Sequence, residues 1–172
     1  MTQREILDTI EESWRTLDEA VAGLSEDDQQ EPGIVGSWSI KDVVGHVTAW
    51  DCLVVGYLEH WRQGQPSPRR DWDSTDEYNA REAIRRRDWT LTQVFDEAAD
   101  IRRRLRGLIA GMTDEEWATV VTLNDRERPL GEWVGGATGG DDGPGTHAAE
   151  HAAALRTWRR AARLVDTAVA DQ

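Results

Sequence analysis

Apolar residues recur at three- and four-residue steps through most of this chain, and that period constrains the fold more than any other feature. Ile6, Leu7, Ile10, Trp14, Leu17, Val21 and Leu24 keep one face of residues 4–24 apolar, with acids and Arg15 between them, which is the pattern of an amphipathic helix. Val43, His46, Val47, Trp50, Leu53, Val54, Tyr57 and Trp61 do the same over residues 39–63. Ser39 followed three residues later by Asp42 marks the start as a capping box, and Pro66 and Pro68 mark the end. Helical spacing returns over 74–112, strongest in Leu91, Val94, Phe95, Ala98, Ile101, Leu105, Leu108 and Met112, with a break near Asp88, which can cap a new start. Thr113 and Glu116 form a further capping box, opening a short helix through Trp117. A last helix over 146–168 carries His147, His151, Leu155, Trp158, Ala162 and Val165 on one side.

Between them, residues 120–145 read as irregular, without a strand pattern. Seven glycines fall between Gly131 and Gly145, which predicts a long Gly-rich loop over 131–145. It has no phosphate-cradle motif, and two readings stay open for it, a substrate lid or a plain connector. Four main helices and no strands predict an all-α protein, a four-helix bundle in a single domain over 1–172. The one cysteine, Cys52, excludes an intrachain disulfide, and without a charged-then-apolar leader a cytoplasmic protein is expected. No stretch approaches the roughly 20 apolar residues of a membrane span.

A formal net charge of −13, from 33 acidic and 20 basic residues, repels a phosphate backbone and argues against nucleic-acid partners. Arg85, Arg86, Arg87, Arg102, Arg103, Arg104 and Arg106 make one segment basic, and a solvated helix face paired with nearby acids is the plainest account of it.

The four histidines separate into three and one. His147 and His151 stand four residues apart, one turn along one helix face, and His46 sits on the apolar stripe of another helix with its ring directed into the bundle. Three unpaired imidazoles in a core would leave polar nitrogens without partners; one divalent cation satisfies a nitrogen of each. His46, His147 and His151 are therefore the candidate metal ligands, with a hydrogen-bonded core network as the rival reading. His60 lies about 21 Å further along its helix than His46 and cannot join them. Cys52 falls on another side of the same helix and reads as a packed thiol. His147 to His151 also matches His-x-x-Glu-His, with Glu150 as the base of an inverted zinc protease. That match is incomplete, because only Asp166 and Asp171 follow as downstream acids. Asp42 could orient His46, but capping is its simpler role. Trp38, Trp50 and Trp158 could wall an apolar pocket beside the ion, or be plain core.

The segment from Gly36 to Trp50, with Trp38, Ser39, Asp42 and His46, followed by a polar middle helix and a late His-x-x-x-His helix, resembles the DinB-like superfamily of YfiT-type four-helix bundles. Asn79 resembles the start of that family's third helix. The resemblance implies up-up-down-down connectivity, frequent dimerisation and a zinc or nickel ion on His46, His147 and His151. It also implies activities such as thiol-dependent S-transfer or isomerisation, with a low-molecular-weight thiol as cofactor, or hydrolysis of reactive electrophiles. Three neutral imidazoles leave one coordination position open, where a water or thiol can become a nucleophile at neutral pH. A metal-dependent transferase or detoxifying hydrolase acting on a small electrophilic molecule is the leading expectation. The alternative is a non-catalytic metal- or ligand-binding protein; a weaker third is an interaction protein using the Arg85 to Arg106 stretch.

Overall fold

Thr2, Ser25, Ser39, Thr90 and Thr113 each cap a helix reciprocally with a residue three further on, so most helix starts are written locally in this chain. The computed structural model describes residues 1–66, 68, 70–123 and 126–170, with side chains to residue 161. The order is α1 (Gln3–Val21), α2 (Glu26–Gln30), α3 (Ile40–Arg62), α4 (Thr75–Arg86), α5 (Leu91–Ala110), α6 (Asp114–Ala118), β1 (Val120–Leu123), β2 (Arg126–Pro129), α7 (Leu130–Ala137) and α8 (His147–Ala170).

The protein is mostly helical, and α1, α3, α5 and α8 are its long helices. α3 packs along α5, and α1 along α8. Val43, Val44, Val47, Val54, Val55 and Leu58 of α3 meet Val94, Ala98, Ile101, Leu105 and Ile109 in one buried cluster, which Ile6, Ile10, Leu17, Ala152 and Leu155 extend. Each fully buried Val, Leu or Ile contributes about 1.5–3 kcal/mol of transfer free energy, which makes this cluster the main source of stability. Ala162 and Val165, expected on the same face of the last helix, lie outside the residues whose side chains are described, as do Asp166 and Asp171. No helix among the described residues is long and apolar enough to cross a membrane.

Three expectations are corrected. The segment 74–112 does break near Asp88, but the new helix is capped by Thr90, whose Oγ1 accepts the Gln93 N–H at 3.2 Å, not by Asp88. The region 120–129 holds a two-stranded antiparallel sheet, with Val121 opposite Arg128 and Leu123 opposite Arg126. Its second strand, Arg-Glu-Arg-Pro, offers no apolar alternation from which to predict it.

The third correction concerns the glycines. Residues 130–137 are helical. Leu130 and Val134, four apart, are buried, and Gly131 and Gly135 let this short helix approach its neighbours closely. A Cβ at 131 would run into the Trp117 indole, and one at 135 would lie 2.9 Å from Ile6 Cδ1. These glycines serve packing, which outweighs their poor intrinsic helix propensity.

Candidate metal centre

His46 is placed by the cap of its own helix. The Asp42 N–H donates to Ser39 Oγ at 3.2 Å, and Asp42 Oδ2 accepts the Ser39 N–H at 2.9 Å. With its carboxylate held at Ser39, Asp42 fixes where α3 begins and leaves the orientation of the His46 ring to packing. Trp38, just before the cap, lies with its ring centroid 4.8 Å from that of His46.

His147 is the first residue of α8, and distant groups hold it. Its N–H donates to Thr138 O at 3.2 Å, while Thr138 Oγ1 donates back to Val134 O at 2.9 Å. Buried Ser13 of α1 accepts the Ala149 N–H at 2.8 Å, satisfying one of the orphan donors at a helix start from across the bundle. Residues 138–146 are bonded rather than loose. Gly140 and Gly143 exchange backbone hydrogen bonds at 3.2 Å, and the Gly145 N–H reaches Gly135 O at 3.2 Å. Glu150 accepts the Asp142 N–H at 2.8 Å and the Thr146 hydroxyl at 3.0 Å. Burial raises the pKa of this carboxyl, but the hydrogen bonds outweigh it and the net shift is downward. Glu150 is thus a strut for this connection, which accounts for it without a protease-like base.

The three imidazoles converge. His46 Nε2 stands 3.0 Å from His147 Nε2, and His151 Nε2 stands 3.2 Å from the same atom. A donor atom from each ring falls within 4.8 Å of the others. Burial depresses the basicity of all three, helped at His46 and His147 by neighbouring rings, with His46 brought down to about 3 and His147 to about 4. His151 is lowered by burial against the opposing pull of Glu150. At pH 7 the cluster is therefore three neutral rings. His147 Nε2 has one proton or one lone pair, so it can pair well with only one of its two neighbours. Protons alone leave at least one half-buried nitrogen unmatched.

A cation fits this donor set. Three neutral nitrogen donors suit zinc, nickel, cobalt or iron, and tetrahedral ligands about 2.0–2.1 Å from an ion stand about 3.4 Å apart. The two short separations lie near that value. The cluster that could hold an ion contains, among the described residues, no carboxylate or thiol.

The other candidates lie elsewhere. The His60 ring is bonded to Gly56 O at 2.7 Å through Nδ1, and Cys52 is a half-buried free thiol whose pKa burial raises. The Trp50 indole donates to Asn79 Oδ1 at 3.1 Å. Trp158 packs against the core. The arginine-rich stretch is largely ion-paired: Arg86 with Glu82 and Glu97, Arg102 with Asp18, Arg104 with Glu59 and Arg106 with Glu11. Ser13 and Thr138 had no signal in the sequence, because neither lies near a histidine in the chain.

A small helical bundle with a histidine triangle shared by two long helices defines the class, and sequence comparison places it. The chain belongs to the DinB superfamily, whose profile matches residues 9–141, a span that includes His46 and ends before His147. No curated protein sequence matches the chain. An uncharacterised protein from Escherichia coli UTI89 has the same fold, with a TM-score of 0.77 at 16% identity over 94% of this chain and 95% of that one. The colibactin self-resistance protein ClbS, solved in complex with a dsDNA, superimposes with a TM-score of 0.74 at 13% identity, covering 91% and 94%. The mycothiol-dependent maleylpyruvate isomerase gives 0.71 at 13% identity over 90% of this chain, which spans 61% of that enzyme.

Proposed function

We propose that this protein is a metal-dependent enzyme in which His46, His147 and His151 hold one divalent ion, zinc or nickel, and that it acts on a small electrophilic molecule by thiol-dependent transfer or by hydrolysis. The observation that carries the reading is the convergence of three neutral imidazole nitrogens within 4.8 Å, without a further protein donor in the cluster among the described residues. An ion bound by three imidazoles keeps a coordination position open and supplies Lewis-acid activation of a water or a thiol near neutral pH. The chain's own part is placement. The Ser39–Asp42 cap sets where α3 begins and so where His46 stands, Ser13 and Thr138 set the start of α8, and Trp38 closes one side of the centre with an apolar ring. The thiol-dependent isomerase that shares the fold supports the transferase branch.

ClbS brings a dsDNA ligand to the same fold. In this chain the net charge of −13 opposes it.

The test is metal content of the untagged protein by mass spectrometry beside His46→Ala and His147→Ala, followed by a screen of thiols with electrophiles. About one ion per chain, lost in both variants together with turnover, supports the reading. Turnover retained by a folded, metal-free variant overturns it.

A further inference from the structure

The arginines of α4 and α5 are ion-paired, whereas several elsewhere have no carboxylate within ion-pair distance among the described residues, and three of these, Arg70, Arg126 and Arg128, gather in one place. All three line one cleft of about 610 Å³. Arg126 and Arg128 stand two apart on β2 and so share a face, while Glu127 faces the other way. Three guanidiniums without a carboxylate partner on one concavity of a chain with net charge −13 make a local positive patch suited to an anion.

The walls of the cleft are aromatic. Trp133 of α7 packs against Tyr57 with ring centroids 4.3 Å apart, and Trp72 packs against Tyr78 at 4.5 Å. Trp50, one turn beyond His46 on α3, completes the lining on that side. Ala137 lines the cleft too, and the next residue, Thr138, bonds the His147 backbone. Both walls are therefore continuous in the chain with segments that carry the histidines.

We infer that this cleft binds a small organic anion, an oxyanion such as a carboxylate carried on a flat unsaturated body, with Arg126 and Arg128 on the oxyanion and the tryptophans on the body. Guanidinium forks match planar oxyanions with paired charge-assisted hydrogen bonds, and indole faces take flat apolar groups. Arg70 is already stacked 5.5 Å from the Trp72 ring centroid, with Nε donating to Trp72 O at 3.1 Å, and lends its charge from the rim. As the substrate site of an enzyme, the cleft rests on the reading of the metal centre given above; as an anion site it does not.

Calorimetry of the full chain with trans-cinnamate, its neutral amide, phenyl phosphate and a short DNA duplex tests this. Cinnamate is expected to bind, and the amide to bind about tenfold more weakly or worse. Arg126→Gln with Arg128→Gln should cost cinnamate about tenfold or more, with Arg128→Lys retaining part of the affinity. Arg103→Gln, a surface residue paired with Asp100 on α5, should bind as the parent does. Tighter binding of phenyl phosphate, lost in the same double variant, assigns the oxyanion to a phosphoryl group and supports the site. Equal affinity for the amide, no effect of the double substitution, no binding of either anion, or binding of the duplex alone overturns it. His46→Ala separates the two proposals, because it should lose the ion while keeping cinnamate.

Discussion

His46 Nε2 and His147 Nε2 stand 3.0 Å apart although 101 residues separate them in the chain. Both rings are neutral at pH 7, because burial holds them far below the ordinary imidazole range. Adding zinc or nickel to metal-free protein should therefore raise its thermal midpoint, by an amount that grows with ion concentration. At about one hundred times the dissociation constant the gain is about 2.7 kcal/mol. A chelator should reverse the shift, and His151→Ala should abolish it. A midpoint that does not respond to any divalent ion would leave the triangle as a core network.

Ser13 is the group whose loss should be felt furthest from its own helix. It is buried and accepts the N–H of Ala149 in the first turn of α8. Ser13→Ala leaves that donor unpaired and should cost about 1–2 kcal/mol. Because Ala149 lies between His147 and His151, the substitution should also weaken metal affinity, whereas Asp8→Ala, on the exposed side of α1, should not. Urea midpoints and metal titrations of the two variants separate these outcomes.

The long helices and the His147–His151 pair were legible because both are written locally, and His46 because it stands on the apolar stripe of its own helix. A three-to-four-residue period, a Ser39–Asp42 cap and a four-residue spacing between His147 and His151 each sit within one turn or a few. What the sequence hid depends on pairs far apart in the chain. Ser13 is 136 residues from Ala149, and the sheet's second strand is four residues of polar sequence closed by proline. The cleft arginines are distinguished from those of α4 and α5 by lacking a carboxylate within ion-pair distance among the described residues, a property no spacing rule conveys.

Gly131 and Gly136 lie in one helix and should respond to alanine in opposite directions. A Cβ at 131 has no room against Trp117, whereas nothing lies within 4 Å of one at 136. Gly131→Ala should destabilise by about 1–3 kcal/mol through overpacking. Gly136→Ala should stabilise by about 0.5–1 kcal/mol through reduced backbone freedom in the unfolded chain. Equal effects in chemical denaturation would mean that the glycines do not serve packing.

Asp51 should make stability depend on pH in the opposite sense from an ordinary surface carboxylate. It is fully buried on α3, where burial raises its pKa to about 7 against the opposing pull of the Trp14 hydrogen bond, 2.9 Å long, and of Arg102. The folded protein thus holds a proton that the unfolded chain, with a carboxyl near 3.8, has released. The stabilisation is complete below about pH 4 and is lost as pH rises toward 7. Across that window this one group removes up to about 1.4 kcal/mol per pH unit. Asp51→Asn keeps an oxygen to accept from Trp14 Nε1 and has no charge to bury. The variant should therefore gain on the parent steadily from pH 5 to pH 7 and hold a constant advantage above that. Urea midpoints measured at half-unit intervals, with Asp8→Asn as an exposed control, read the difference directly. A gap that stays constant between pH 5 and pH 7 would show that Asp51 is already ionised in the folded protein.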